Sequence, residues 1–217
     1  MNVVNKLNLK PNIDKDKLFK RLNIIEGTEA FKSADCIYEE LIELLGTIMQ
    51  LKALYVVTES LDIARIVDYN KFILCFVSSK DEINDVINEM MSNGEYLKGY
   101  LLNEMSTYAI FNASNEINEI IKLQVCKSGY ALSKRYAAGD DGIHLKNQDI
   151  ILNELKRHVS LNVSINHEHV LIPMKSLLYF YGLSENKSVT DHTKSEDCSN
   201  CVNINCSYRE IRWRNIM

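Results

Sequence analysis

Glycine and proline are scarce in this sequence, eight and two among 217 residues, and that scarcity removes whole classes of chemistry at the outset. A phosphate-cradling loop needs closely spaced glycines so that backbone N–H groups can approach the anion, and no such loop is present. No serine sits between glycines as in the strained turn of a nucleophile elbow. No helical pair of histidines brackets a glutamate in the pattern that builds a catalytic zinc site. No run approaches the roughly 20 apolar residues that a membrane-spanning helix requires. Positive charge is not in excess either: 25 Lys and Arg stand against 29 Asp and Glu, for a net charge of −4 and a pI near 5.8. That balance argues against a nucleic-acid surface, which needs a basic field. The first ten residues, MNVVNKLNLK, lack the continuous apolar core of a secretory signal, and the expectation is a cytoplasmic protein.

What remains is the composition of a soluble globular chain, 46% hydrophobic and 25% charged,. Apolar residues at Ala34, Ile37, Tyr38, Leu41, Leu45 and Ile48 recur as one buried helix face between 31 and 49. LKALYVVT (51–58) and KFILCFVS (71–78) are short, rich in β-branched residues and read as buried strands. Ser79 and Glu82 have capping-box spacing ahead of a helix that Asn93-Gly94 closes. The longest helical signal runs from Glu95 to about Val125, with a kink expected near 112–115, where Asn and Ser lower helix propensity. Gly129 ends it. Residues 130–136 alternate as a strand, 147–157 read as a helix, and 161–184 as strands joined by a turn near Asn166. Helices and strands do not alternate as βαβ units, so the expected fold is α+β, a twisted and largely antiparallel sheet packed with helices. The expected organisation is one domain over 1–184 and a cysteine-containing tail over 185–217.

Six cysteines in a reducing compartment are not expected to form disulfides. Cys36, Cys75 and Cys126 fall in apolar periodic segments and read as small core residues. Cys198, Cys201 and Cys206 instead crowd into nine positions, a spacing at which three thiolates can turn back on one ion. His192, six positions ahead of the first of them, would complete a zinc site. An iron–sulfur cluster with one open iron is the alternative.

Two further stretches carry candidate chemistry. In Arg135-Tyr-Ala-Ala-Gly139-Asp140-Asp141-Gly142, the glycines permit positive φ and close backbone approach, and the arginine offers a planar fork for a carboxylate. Taken locally, an ordinary strand-to-helix loop explains the same residues. In Ile172-Pro-Met-Lys175-Ser176 running into Leu177-Leu-Tyr179-Phe-Tyr181-Gly182, alternation puts both tyrosines on one strand face, where they line a pocket or act as sheet neighbours. His167-Glu168-His169 lacks a third ligand nearby and reads as a polar turn.

In order and together these stretches resemble the activation domain of cobalamin-dependent methionine synthase, in its small stand-alone form from anaerobic bacteria. The resemblance rests on Arg135, Gly139, Leu145 and Gln148, on Leu171, Pro173, Lys175, Ser176 and Gly182, and on Cys198, Cys201, Cys206 and Arg209. It implies an α+β fold that binds S-adenosylmethionine and presents it to the cobalamin of a partner. That partner would be a corrinoid-binding methionine synthase or related corrinoid protein. An electron donor such as flavodoxin or ferredoxin would reduce the inactive cobalt, and S-adenosylmethionine would methylate it. The implied activity is the activation component of a vitamin B12-dependent methyltransferase, and no general base is required of this chain. The resemblance places Arg135, Ala137, Gly139, Asp140 and Tyr181 around S-adenosylmethionine. Asp140 stands where the family has tyrosine, Ala138 where it has proline, and Phe111 where the long helix has an acid. These departures leave two other readings: a binding module of the same fold without activity, or a metal- or cluster-bearing electron carrier.

Overall fold

Phe31 begins the first helix that the periodicity predicts, yet in the computed structural model three elements precede or include it. The structure describes residues 5–64, 66, 69–140 and 142–185. Strand β1 (Asn5–Leu9) and helix α1 (Lys15–Arg21) lead into α2 (Glu29–Ile48). Asp14 caps α1 by accepting from the Lys17 amide at 3.1 Å, and Thr28 caps α2 by accepting from the Phe31 amide at 3.2 Å,. Strands β2 (Leu51–Thr58) and β3 (Lys71–Ser78) follow, then α3 (Glu82–Ser92) and α4 (Tyr96–Lys127). Short strands β4 (Ala131–Leu132) and β5 (Tyr136–Ala137) precede α5 (Asn147–His158). The hairpin β6 (Ser164–Ile165) and β7 (Leu171–Ile172) then leads into the long β8 (Ser176–Ser184).

Among the described residues the main sheet has six strands in the order β1-β2-β3-β8-β4, with β5 also on β8, and every pairing is antiparallel. The α+β expectation is therefore met. The sheet is buried on both faces, which is why β2, β3 and β8 read as unbroken apolar runs rather than alternating ones. Ala53, Tyr55, Ile73, Cys75, Val77, Tyr179 and Tyr181 face α1 to α4. Leu54, Val56, Phe72, Leu74, Phe76, Leu178 and Phe180 face α5, Ile143 and the segment around Leu61, Ile63 and Ile66.

Helix α4 runs 32 residues without interruption, about 48 Å at 1.5 Å per residue, and packs across β2, β3, β8 and β4. The break expected near 112–115 is absent, and two of the polar side chains there have helix-compatible partners. Asn112 donates to the Asn12 carbonyl at 2.7 Å, and Ser114 Oγ donates to the Phe111 carbonyl at 2.7 Å. The capping box at Ser79 and Glu82 does not form, since α3 begins only at Glu82 and Asp81 occupies the cap. Asp81 instead accepts from the Met174 amide at 3.3 Å, tying α3 to the start of β8. Cys75 is buried as expected, but Cys36 and Cys126 are exposed: they lie on the outward sides of α2 and α4, where the apolar periodicity does not include them. Among the described residues no helix is long and apolar enough to cross a membrane. The expected boundary at 184/185 falls at the end of the described residues.

Helix α5 is pinned to the sheet by one buried carboxylate. Glu154 accepts from Thr58 Oγ1 on β2 at 2.7 Å, from Arg157 at 2.8 Å, and pairs with His158 Nε2 at 3.1 Å. Burial alone would raise its pKa, but the hydrogen bonds from Thr58 and His158 and the Arg157 charge outweigh it and hold the carboxyl below its ordinary value of 4.5,. A depressed carboxylate stabilises the fold above its unfolded pKa, and that contribution is lost as the pH falls through the folded value. Glu154→Gln should therefore lower the melting temperature at pH 6 to 7, and the difference from wild type should shrink once the pH drops below about 4.5. Thermal melts of both proteins across that range test it; a pH-independent difference would show that the charge contributes nothing.

Candidate functional site

Of the sequence-predicted site residues, Arg135, Ala137 and Tyr181 meet at the edge where residues 131–137 pair with β8. Leu132 is opposite Leu183 and Tyr136 is opposite Phe180, so three residues on one strand face two on the other. That single extra residue is a β-bulge. Ser133 closes it from both sides: its amide donates to the Gly182 carbonyl at 3.0 Å and its Oγ accepts from the Gly182 amide at 2.8 Å. A one-residue offset moves every following side chain to the other face. Leu132 packs on the α4 side, and strict alternation from it would send Arg135 to the α5 side. The bulge sends it to α4 instead, with Ala137, while Tyr136 and Ala138 pack on the α5 side.

Arg135 consequently lies over Tyr179, with its guanidinium carbon 5.5 Å from the ring centroid, within cation–π range. Tyr179 has no exposed surface. Its phenol lies 3.2 Å from the Ser114 carbonyl and 3.1 Å from Asn118 Oδ1, both on α4. Tyr181, the next residue on the same face, packs edge-on at 5.9 Å and is also buried. Both tyrosines share one face as predicted, as buried sheet neighbours. Two α4 atoms beside this cluster, Asn115 Oδ1 and Asn118 Nδ2, are buried without a hydrogen-bond partner. Buried polar atoms are nearly always satisfied, so these two are exceptions. The sequence did suggest unusual character here, through the poor helix formers at 112–115, but that signal read as a kink. Phe111, the position matched to an acid, is partly buried on α4, one turn ahead of Ser114.

Beyond β5 the chain turns sharply. The Gly139 amide donates to the Ile143 carbonyl at 2.8 Å and the Ile143 amide donates to the Asp140 carbonyl at 2.8 Å. Gly139 has φ +95, a conformation that side-chain-bearing residues rarely adopt. Asp140 is exposed at the rim of this turn, and Asp141 lies outside the described residues.

The second predicted motif anchors β8. Lys175 donates to the Asn103 side chain at 2.8 Å, the Asn103 carbonyl at 3.2 Å and Thr107 Oγ1 at 2.7 Å. Burial brings its pKa down to about 8, with Glu104 opposing. Ser176 donates to the Pro173 carbonyl at 2.6 Å. His167 to His169 form the expected turn; His169 hydrogen-bonds Asp149 at 2.8 Å. No group of three or more His, Cys, Asp or Glu among the described residues could hold a metal ion. Cys198, Cys201, Cys206 and His192 lie outside the described residues.

These features define an α+β domain with a two-sided antiparallel sheet and a polar cluster between one sheet edge and a long helix. No protein-family model matches the chain, and no curated protein matches it in sequence. Among solved structures the fold is similar to that of the MetH reactivation domain, in a crystal structure of that domain bound to AdoHcy. The TM-score is 0.62 at 9% sequence identity, and the match covers 85% of this chain and 79% of that one. At such identity the likeness establishes the fold.

The motif glycine at the end of β8 has a packing reason. A Cβ at Gly182 would lie 2.3 Å from the Tyr69 ring, far inside contact distance. Gly182→Ala should destabilise the protein by about 1–3 kcal/mol, the usual cost of overpacking. In a Tyr69→Ala background the same substitution should cost markedly less. Denaturant unfolding of the four proteins measures the coupling, and additive effects would disprove the ring contact as the cause.

Proposed function

We propose that this chain is a reactivation component for a corrinoid-dependent methionine synthase or a related corrinoid protein, binding S-adenosylmethionine at the edge formed by β5, the Gly139 turn and α4. The observation that carries the reading is the bulge-directed placement of Arg135 over Tyr179, whose phenol reaches Asn118 on α4, where an amide atom is buried without a partner. A guanidinium with an adjacent amide donor and acceptor suits an α-amino acid end, which carries both a carboxylate and an ammonium. Asn118 Nδ2 and Arg135 would donate to the carboxylate, and Asn115 Oδ1 would accept from the ammonium. Gly139 permits close backbone approach, with Ala137 and Asp140 beside it, and the buried Tyr181 backs the floor of the site. Asp140, exposed at the rim, suits a cationic sulfonium better than a carboxylate. The likeness to a domain crystallised with AdoHcy supports an adenosyl ligand in this fold.

S-Adenosylmethionine supplies the methyl group, and the partner's cobalamin, reduced by a donor such as flavodoxin or ferredoxin, receives it. The residues of this chain bind and orient the donor, so proximity is their contribution. Isothermal titration with S-adenosylmethionine and with S-adenosylhomocysteine tests the reading. Arg135→Ala should weaken binding by about 1.5–3 kcal/mol, the worth of a charge-assisted hydrogen bond. Absence of binding by the wild-type protein would favour the module without activity; unchanged affinity in the variant would remove Arg135 from the site.

The cysteine cluster forms the second part of the proposal. Cys198, Cys201 and Cys206 bind one metal centre, either zinc with His192 or an iron–sulfur cluster with an open iron. The support is their spacing and the shortage of apolar residues around them, since metal binding supplies folding free energy that such a segment otherwise lacks. Anaerobically purified protein should carry close to one equivalent of zinc, or several of iron. Less than about a tenth of an equivalent of both would sink the assignment.

A further inference from the structure

Tyr179 does more than fill the core: we propose that it is the positioning residue for Arg135, its ring fixing the guanidinium plane and its phenol tying that orientation to α4. The inference rests on the reading that Arg135 grips the carboxylate of an adenosyl ligand, and goes beyond it by naming what holds the arginine ready.

The ring is immobilised on every side. In the sheet Tyr179 is flanked by Cys75 on β3 and Ala137 on β5. Tyr181 packs edge-on against it, and it has no exposed surface. A phenol carries one proton, so it cannot donate to both the Ser114 carbonyl and Asn118 Oδ1, 3.2 and 3.1 Å away. It donates to one or the other, and with either acceptor Tyr179 is tethered to α4 while Asn118 Nδ2 remains for another partner.

A leucine would fill the same core position. The tyrosine adds two things, a flat electron-rich face under a flexible cation and a polar link to the helix that carries Asn115 and Asn118. Arginine side chains lose considerable rotamer freedom on binding, and a guanidinium already stacked has less to lose. The contact thus links the Arg135 guanidinium through Tyr179 to Asn118 on α4.

Two measurements decide this. In isotope-labelled protein, with Arg135→Lys used to assign the resonance, the Arg135 Nε–H proton should be displaced by the ring current. The displacement should persist in Tyr179→Phe and vanish in Tyr179→Leu, with Tyr179→Met substituted should the leucine variant not fold. In titrations with S-adenosylhomocysteine, Tyr179→Phe should bind within about threefold of wild type, and Tyr179→Leu roughly threefold to thirtyfold more weakly, the range of a partly to fully desolvated cation–π contact. Arg135→Ala should then cost less in the Tyr179→Leu background than in wild type. An undisplaced arginine resonance overturns the proposal, as does wild-type affinity in Tyr179→Leu when Arg135→Ala alone is impaired. If Arg135→Ala binds as wild type does, the ligand assignment itself falls and the positioning role with it.

Discussion

Burial of an antiparallel sheet on both faces is the constraint from which the rest of this structure follows. A sheet with one solvated face can put polar residues on alternate positions. Here Cys75, Leu74, Tyr179 and Phe180 all lie inside, and each β3 and β8 residue must be apolar or find a partner for its polar atom. Tyrosines meet that demand by reaching the long helix. Tyr55 donates to Gln124 at 2.8 Å, and Tyr179 reaches Ser114 and Asn118. Helix α4 is therefore both a hydrophobic lid and the acceptor surface for the sheet's phenols, and its length follows from having to cross every strand it serves.

The same constraint explains the placement of the candidate site. A side chain as polar as arginine cannot enter the middle of this sheet, and the edge beside β8 is where one can stand half-buried. Within that edge the choice of face is made by the bulge at Ser133 to Arg135, closed by two hydrogen bonds to Gly182. Gly182 in turn has no room for a side chain because Tyr69 covers it. One glycine thus connects the α5-side packing to the orientation of Arg135 on the α4 side.

Much of this architecture is legible in the sequence, for physical reasons that also mark the limits. The runs at 51–58 and 71–78 announce buried strands because both faces need apolar residues, and α2 shows its helical period because only one of its faces is covered. Gly129 and the turn at Asn166 are likewise readable as punctuation. Strand β1 and helix α1 carry no comparable signal: β1 is an edge strand alternating Lys6, Leu7, Asn8 and Leu9 over five residues, and α1 buries only Leu18 and Phe19. Ser79 and Glu82 fit a capping box by spacing, but a tertiary contact to Met174 recruits Asp81 instead. A bulge leaves no local mark in an alternating segment, so the sequence names Arg135 without revealing which face it occupies. Asn118 escapes notice because an isolated helix would suffer from it, whereas in place it meets the Tyr179 phenol.

The titration behaviour of the cluster bears on the kind of chemistry the site can host. Burial pushes the Cys75 thiol and the Tyr179 phenol well above their ordinary pKa values, in both cases against the opposing influence of the Arg135 charge,. At neutral pH neither is an anion, so these groups offer neither an ionised nucleophile nor a ready general base. An acid–base or covalent catalyst would require the reverse, a group brought toward neutrality and left accessible. A surface that holds an alkylating sulfonium has the opposite need, because a thiolate or phenolate within reach would itself be methylated. In the proposed function, neutral and buried groups beneath the Arg135 guanidinium would satisfy that need and would leave the methyl group to an acceptor from outside the domain.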